Sequence, residues 1–240
     1  MTAAPETTAA FAARVGVVAG TTGRPDGSFG LAGSEPAGEV IARWRAFRAA
    51  RLPAFTAVQR SHQVHGTQVL WHAEVAPGWH EGDDADGHAT AQPGLLLTVT
   101  IADCVPLFLV DRERRAVALL HAGWRGVAGG VLGSGVRLLS DRGVPAGSLT
   151  MHLGVAICGR CYEVGEAVAR ALLGAAAPAG ASRVDLRDVL AGQAARLGIG
   201  EVSVAPACTS CEGDRYFSHR ASGGAPGRQI AYLGLPLAAP

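Results

Sequence analysis

The 240-residue chain is short of several things, and each shortage narrows its function. Aromatic residues make up 5% and the formal charge is only +1, so neither stacking platforms for single strands nor a basic footprint for nucleic acid is present. Lysine is absent and arginine carries the positive charge, a mark of base composition in the source and silent on function. No basic start followed by an apolar run opens the chain, so Met1 to Ala12 does not read as a secretory signal. Those dozen residues are expected to be a flexible tail. No apolar run is long enough for a membrane span, because the longest one contains Asp103 and Pro106. Five cysteines is an odd number, and without an export signal reduced thiols in the cytoplasm are the expectation.

What remains is a chain with 48% hydrophobic and 17% charged residues, enough to bury a full core. No linker interrupts the middle, so residues 13–240 are expected to form one domain. The centre is the run from Leu95 to Gly126. Short apolar segments at 95–100, 107–111 and 116–120 read as buried strands broken by turn residues. Further strands are expected at 14–19, 54–59, 68–71, 149–153, 201–205 and 229–233. Helices are expected at 39–51, with Val40, Trp44 and Phe47 inward, and at 127–140 and 166–173. Residues 185–197 form another, with Asp185 as N-cap. Residues 77–88 are polar and rich in Gly, Asp and His, so a solvated loop is expected there; Asp83, Asp84 and Asp86 do not match a calcium loop. Strands and helices alternate irregularly, which points to an α+β (mixed α/β) domain with mixed sheets and covering helices.

Asp103-Cys104 ends one apolar run, and His121 ends another, ahead of Gly123-Trp124-Arg125-Gly126. Strand ends deliver side chains into clefts from a rigid scaffold. Cys104 and His121, with His65, form a permitted three-ligand zinc set that leaves one position open. Cys104 and His121 alone would instead make a nucleophile and its base. Cys158-x-x-Cys161 and Cys208-x-x-Cys211 could form a four-cysteine structural site, although their separation exceeds that of a usual ribbon. They could equally be two turns whose thiols pack as small apolar groups, or a redox pair. His62 reads as a surface histidine. Arg125 suits a phosphate or carboxylate, unless it only caps a helix or pairs with an aspartate.

Taken in order, several segments carry a resemblance: Gln63-Val64-His65-Gly66, Ala102-Asp103-Cys104-Val105-Pro106, His121-Ala122-Gly123-Trp124-Arg125-Gly126, Cys161-Tyr162-Glu163-Val164-Gly165, Cys208-Thr209, and Phe217-Ser218-His219-Arg220 with Gly227-Arg228. Together they resemble the laccase-domain (multicopper polyphenol oxidase-like) family, whose members are also described as purine nucleoside phosphorylases and peptidoglycan-editing factors. The resemblance implies metal ligation by His65, Cys104 and His121, with zinc as the ion and copper as the alternative. It also implies action on purine nucleosides and phosphate: phosphorolysis of adenosine, inosine, guanosine and methylthioadenosine, and deamination of adenosine. Cys104, His121 and Arg125 are then the expected catalytic residues, and Gln63, Asp103 and Arg220 the expected substrate-binding ones. The laccase label implies copper and phenol oxidation, but the chain lacks the several His-x-His pairs of a multicopper cluster.

The chain departs from the family pattern near its N-terminus. Thr21-Thr22-Gly23-Arg24 stands where a threonine–arginine–glycine–glycine segment is usual, and Ala32 where an asparagine is usual. Ala85-Asp86-Gly87-His88-Ala89-Thr90 is polar where the family is apolar, and His62 replaces an uncharged residue. These departures bear on substrate range and activity more than on the metal. Two other classes stay open: a cysteine hydrolase cleaving an amide in peptidoglycan precursors, and a non-catalytic metal-binding protein.

Overall fold

Burial of both faces of the central strands decides the architecture. In the computed structural model, which describes residues 4–31, 33, 35–224 and 227–238, Leu95–Ile101 sends Leu95, Leu97, Val99 and Ile101 to one face. Leu96 goes to the other. Val105–Asp111 does the same, with Phe108 and Val110 on one side and Leu107 and Leu109 on the other. A strand with both faces apolar must be covered twice, and two sheets stacked face to face with helices outside meet that need.

The larger sheet has seven strands in the order Ala4–Pro5, Glu201–Val204, Leu149–Leu153, Val105–Asp111, Val117–Ala122, Gly87–Thr90 and Val69–His72. The second has five: Val18–Thr21, Gln229–Gly234, Leu95–Ile101, Ala57–Ser61 and Gly78–Gly82. Both mix parallel and antiparallel pairs. Phe108, Val110, Val117 and Leu119 from the first sheet meet Leu95, Leu97, Val99 and Leu233 from the second. The outer face of the seven-stranded sheet is covered by Val131–Ser140 and Leu186–Leu197, through Leu132, Val136, Leu186 and Leu190. The outer face of the five-stranded sheet is covered by Ala37–Ala49, through Val40, Trp44 and Phe47. The result is a single mixed α/β domain of four layers. None of its described helices is long and apolar enough to cross a membrane.

Several expectations shift. The expected tail, residues 1–12, instead contributes the strand Ala4–Pro5 and most of the helix Thr8–Val15, so its described part is anchored. Thr7 caps that helix by accepting the Ala10 N–H at 3.2 Å, and Phe11 is fully buried between Phe108 and His152. Arg14, expected to begin a strand, lies in the last helical turn and forms a two-point pair with Glu6; the strand is Val18–Thr21. The helix expected at 127–140 is two, Trp124–Gly129 and Val131–Ser140, because Gly130 has φ 87°, a left-handed conformation that stops one helix and opens the next.

The largest correction concerns residues 77–88, expected to be a loop. Gly78–Gly82 and Gly87–Thr90 are strands. The first is polar because it is an edge strand, paired only to Ala57–Ser61. The second is polar and buried, with His88 bonded to His72 at 3.0 Å and the Thr90 hydroxyl donating to the His72 carbonyl at 2.8 Å. Asp185 does cap its helix, accepting the Arg187 N–H at 2.9 Å.

The anchored N-terminus has a pH signature. His152 is fully buried, stacked on Phe11, and bonded to Thr8 Oγ1 at 3.0 Å and Ser203 Oγ at 2.9 Å. Burial pushes its pKa down to about 4, so it stays neutral in the folded protein. Between that value and the unfolded value of about 6.5 the unfolded chain binds the extra proton, so stability falls as pH is lowered through this window. Urea unfolding at pH 7 and pH 4 should show a His152→Gln variant losing less stability than the wild type, by on the order of 3 kcal/mol. Equal losses in the two proteins would remove His152 as the cause.

Candidate metal centre

The two sheets are joined by Ala102-Asp103-Cys104, which leaves Leu95–Ile101 of one and enters Val105–Asp111 of the other. The turn is tight enough to put Asp103 at φ 92°, rare for any residue but glycine. Asp103 is held by its surroundings. Its Oδ1 accepts the Thr209 hydroxyl at 2.6 Å, its Oδ2 the Arg220 N–H at 2.7 Å, and its carbonyl the Ile157 N–H at 3.0 Å. Cys104 thereby emerges at the mouth of the seam between the sheets.

His121 reaches the same place from the next strand. In Val117–Ala122, Val117 and Leu119 face the seam, and His121 continues that face at the strand end. His65 arrives from the loop after Ala57–Ser61 with φ 59°. The donor atoms of His65, Cys104 and His121 all lie within 4.8 Å of one another, and the two imidazoles meet edge to face with centroids 4.9 Å apart. Gly123 has to be glycine: a Cβ there would stand 2.8 Å from His65 Cδ2 and 3.1 Å from Cys104 Sγ.

The residue that assembles the cluster is Asp86, expected in a solvated loop beside Asp83 and Asp84. Those two are exposed, whereas Asp86 is completely buried. Its Oδ1 accepts from His121 Nδ1 at 2.8 Å and from the His65 N–H at 3.0 Å. Its Oδ2 accepts the N–H groups of Gly66 at 2.6 Å and Val64 at 3.2 Å. One carboxylate thus orients His121, presenting Nε2 to the cluster, and holds His65 in its unusual backbone conformation. Burial opposes its ionisation, but the bonds from His121 and the backbone outweigh that and hold its pKa below the ordinary carboxylate value.

The electrostatics of the metal-free cluster are those of an ion pair. Burial alone would raise the Cys104 thiol; the neighbouring His121 and His65 bring it down to about 6. Burial alone would lower His121; the Cys104 sulfur and Asp86 raise it to about 9. The burial is graded, with His121 buried, Cys104 half-buried and His65 exposed, so the cluster opens on the His65 side. It opens into a cavity of about 840 Å³, within the range of small-molecule sites.

Gln63, Asp103, Arg125 and Arg220 all line that cavity. Gln63 is clamped to Thr100, donating to its carbonyl at 2.8 Å and accepting its N–H at 2.7 Å. Arg220 donates to the Glu163 carbonyl at 2.7 Å and lies over the Tyr162 ring. Arg125 is exposed and stacked on Trp124, with no carboxylate partner among the described residues. His62 is on the surface, 2.9 Å from Asp84. Leu31 also lines the cavity; Ala32, where the family pattern changes, lies outside the described residues.

The family model for multi-copper polyphenol oxidoreductase laccase matches residues 10–236. The chain belongs to this family. Among the relatives of this laccase-like protein, a purine nucleoside phosphorylase from Deinococcus radiodurans is 37% identical over 183 residues, spanning 74% of this chain and 70% of that one. One from Streptomyces griseus is 37% identical over 204 residues, spanning 80% and 79%. The crystal structure of YlmD from Geobacillus stearothermophilus superposes with TM-score 0.80 at 30% identity, covering 92% of each chain. That of the hypothetical protein YfiH from Bacillus licheniformis gives 0.79 at 25% identity, covering 92% of this chain and 93% of that one.

The cluster's ion pair can be tested without any metal. In metal-free protein, alkylation of Cys104 followed by peptide mass spectrometry should rise with pH and reach half its plateau near pH 6. In His121→Ala protein the midpoint should move up, because His65 alone is then left to oppose burial. An unmoved midpoint would show that His121 does not hold the thiolate.

Proposed function

We propose that this chain is a zinc-dependent purine nucleoside enzyme, catalysing phosphorolysis of adenosine, inosine, guanosine and methylthioadenosine and deamination of adenosine. The observation that carries the reading is the convergence of the His65, Cys104 and His121 donor atoms in the wall of a cavity of small-molecule size. Relatives named purine nucleoside phosphorylase support the substrate class.

The donor set fits zinc. One thiolate and two imidazoles from separate segments, open on one side, is a catalytic rather than a structural pattern. Copper in several sites would need further imidazoles, and the described residues gather only this group and a cluster of four cysteines. Zinc held there supplies Lewis acidity, polarising a substrate oxygen or acidifying water.

The chain's own residues do the rest. Asp86 keeps the proton of His121 on Nδ1, so Nε2 is the ligand face, and His121 gives up its second proton as the site loads. Phosphorolysis breaks the bond from ribose C1′ to the purine nitrogen and forms one from C1′ to a phosphate oxygen. Arg125 and Arg220 supply the positive wall against which phosphate is held. With both oxygens engaged by Thr209 and Arg220, Asp103 acts by positioning the Arg220 backbone, and Gln63 presents the edge of its clamped amide to the cavity.

A second reading has an observation in its favour. Cys104, His121 and Asp86 also form a nucleophile, base and orienting carboxylate, which suits a cysteine amidase acting on peptidoglycan precursors. His65 is neither nucleophile, base nor orienting group in that chemistry, whereas the zinc reading needs it as a ligand, so it separates the two readings.

Zinc-loaded protein incubated with adenosine and phosphate should release adenine, ribose 1-phosphate and inosine by chromatography. His65→Ala should lose the metal of this cluster and nucleoside turnover together, and Asp86→Asn should weaken zinc binding there about 10- to 100-fold. Full nucleoside turnover by a Cys104→Ala protein with no metal bound at His65 and His121 would refute the zinc reading. Amide cleavage that survives His65→Ala but not Cys104→Ala would establish the amidase. Arg125→Ala should raise the KM for phosphate more than that for adenosine; equal changes would take Arg125 out of phosphate binding.

A further inference from the structure

Four thiols that play no part in this chemistry meet behind the cavity wall. Cys158-Gly159-Arg160-Cys161 follows the strand Leu149–Leu153, and Cys208-Thr209-Ser210-Cys211 follows Glu201–Val204. The two strands are parallel neighbours, so both turns leave the same end of the sheet. A parallel bridge between Ala156 and Cys208 and the Thr209 N–H on the Ala156 carbonyl, at 3.1 Å, hold the turns side by side.

All four sulfurs lie within 4.8 Å of one another, with Cys161 and Cys211 3.4 Å apart and Cys158 and Cys211 3.9 Å apart. A tetrahedral zinc with bonds of about 2.3 Å separates its sulfurs by about 3.8 Å, so the cluster is of the size that one ion would span. Backbone N–H groups also point at sulfur: those of Cys158 and Cys211 reach Cys208 Sγ at 3.2 and 3.4 Å. Such donors favour a thiolate, and the Arg160 guanidinium near Cys158 offsets part of the negative charge that four thiolates bring. A redox pair needs two thiols; four converging ones match the closed ligand set of structural zinc.

We propose that Cys158, Cys161, Cys208 and Cys211 bind one zinc ion in a closed structural site, separate from the cluster of His65, Cys104 and His121. Its role is positional. Ile157 and Tyr162 flank the first turn and line the cavity, and Thr209 in the second donates to Asp103 next to Cys104. The ion therefore ties together the two turns that support one wall of the cavity. The proposal holds whichever reaction that cavity serves.

Full-length protein, reduced, exposed to excess zinc and desalted, is analysed by elemental mass spectrometry alongside variants. Cys104→Ala, which leaves the four cysteines intact, should retain one zinc per chain, and the Cys161→Ser/Cys211→Ser double variant should carry one fewer than wild type. Cobalt added to metal-free Cys104→Ala should give the strong thiolate charge-transfer absorption of a four-sulfur tetrahedral centre; this reading does not require the double variant to fold. Wild type and Cys104→Ala both holding one zinc would support this site and count against the other cluster. Cys104→Ala protein that takes up neither zinc nor cobalt would overturn the proposal.

Discussion

The site depends on a buried negative charge. Asp86 has no exposed surface, yet its carboxylate is ionised, a state that is costly to bury without partners. Four donors answer it: the His121 ring and the N–H groups of residues 64, 65 and 66. The same four bonds tie the loop carrying His65 to the strand carrying His121, which no ladder pairing connects. Removing the carboxylate would leave three amide donors without their acceptor and His65 free to relax from φ 59°. The cluster is thus held by an electrostatic clamp made before any ligand arrives.

A second constraint puts Cys104 within reach of that clamp. The chain changes sheets at Ala102-Asp103-Cys104, and three residues suffice only because Asp103 takes up a left-handed conformation. Its side chain and carbonyl are then fixed from the segments around residues 157, 209 and 220. Asp86 organises the imidazoles and Asp103 organises the thiol and the cavity wall. The two aspartates divide the work of preorganisation between them.

Much of this was legible in the residues, and what was not has a physical reason. Leu95–Ile101, Val105–Asp111 and Val117–Ala122 stand out as apolar runs because they are buried on both faces. Gly87–Thr90 does not, since its core is made of His88 and Thr90, polar groups satisfied by His72 across the sheet. Asp86 looked like its solvated neighbours Asp83 and Asp84, because one residue marks the step from exposed loop to interior. The N-terminal helix was hidden by its alanines, and only Phe11 and Thr8 say that it docks. The four cysteines carried ribbon-like pairs at an unribbon-like separation, and parallel strands close that distance.

The arrangement of Cys104, His121 and Asp86 is shared by two chemistries, and the thiolate–imidazolium pair of the metal-free protein is common to both. What lies beside the pair decides between them. An amidase needs room next to the sulfur for a carbonyl carbon and its attacking trajectory. Here that space is bounded by the His65 ring, and the absence of a Cβ at Gly123 leaves room for His65 and Cys104 to approach. A backbone shaped to bring a second imidazole against a nucleophile would obstruct acyl transfer. The same shaping brings three donor atoms within reach of one ion and leaves His65, the exposed member, on the open side.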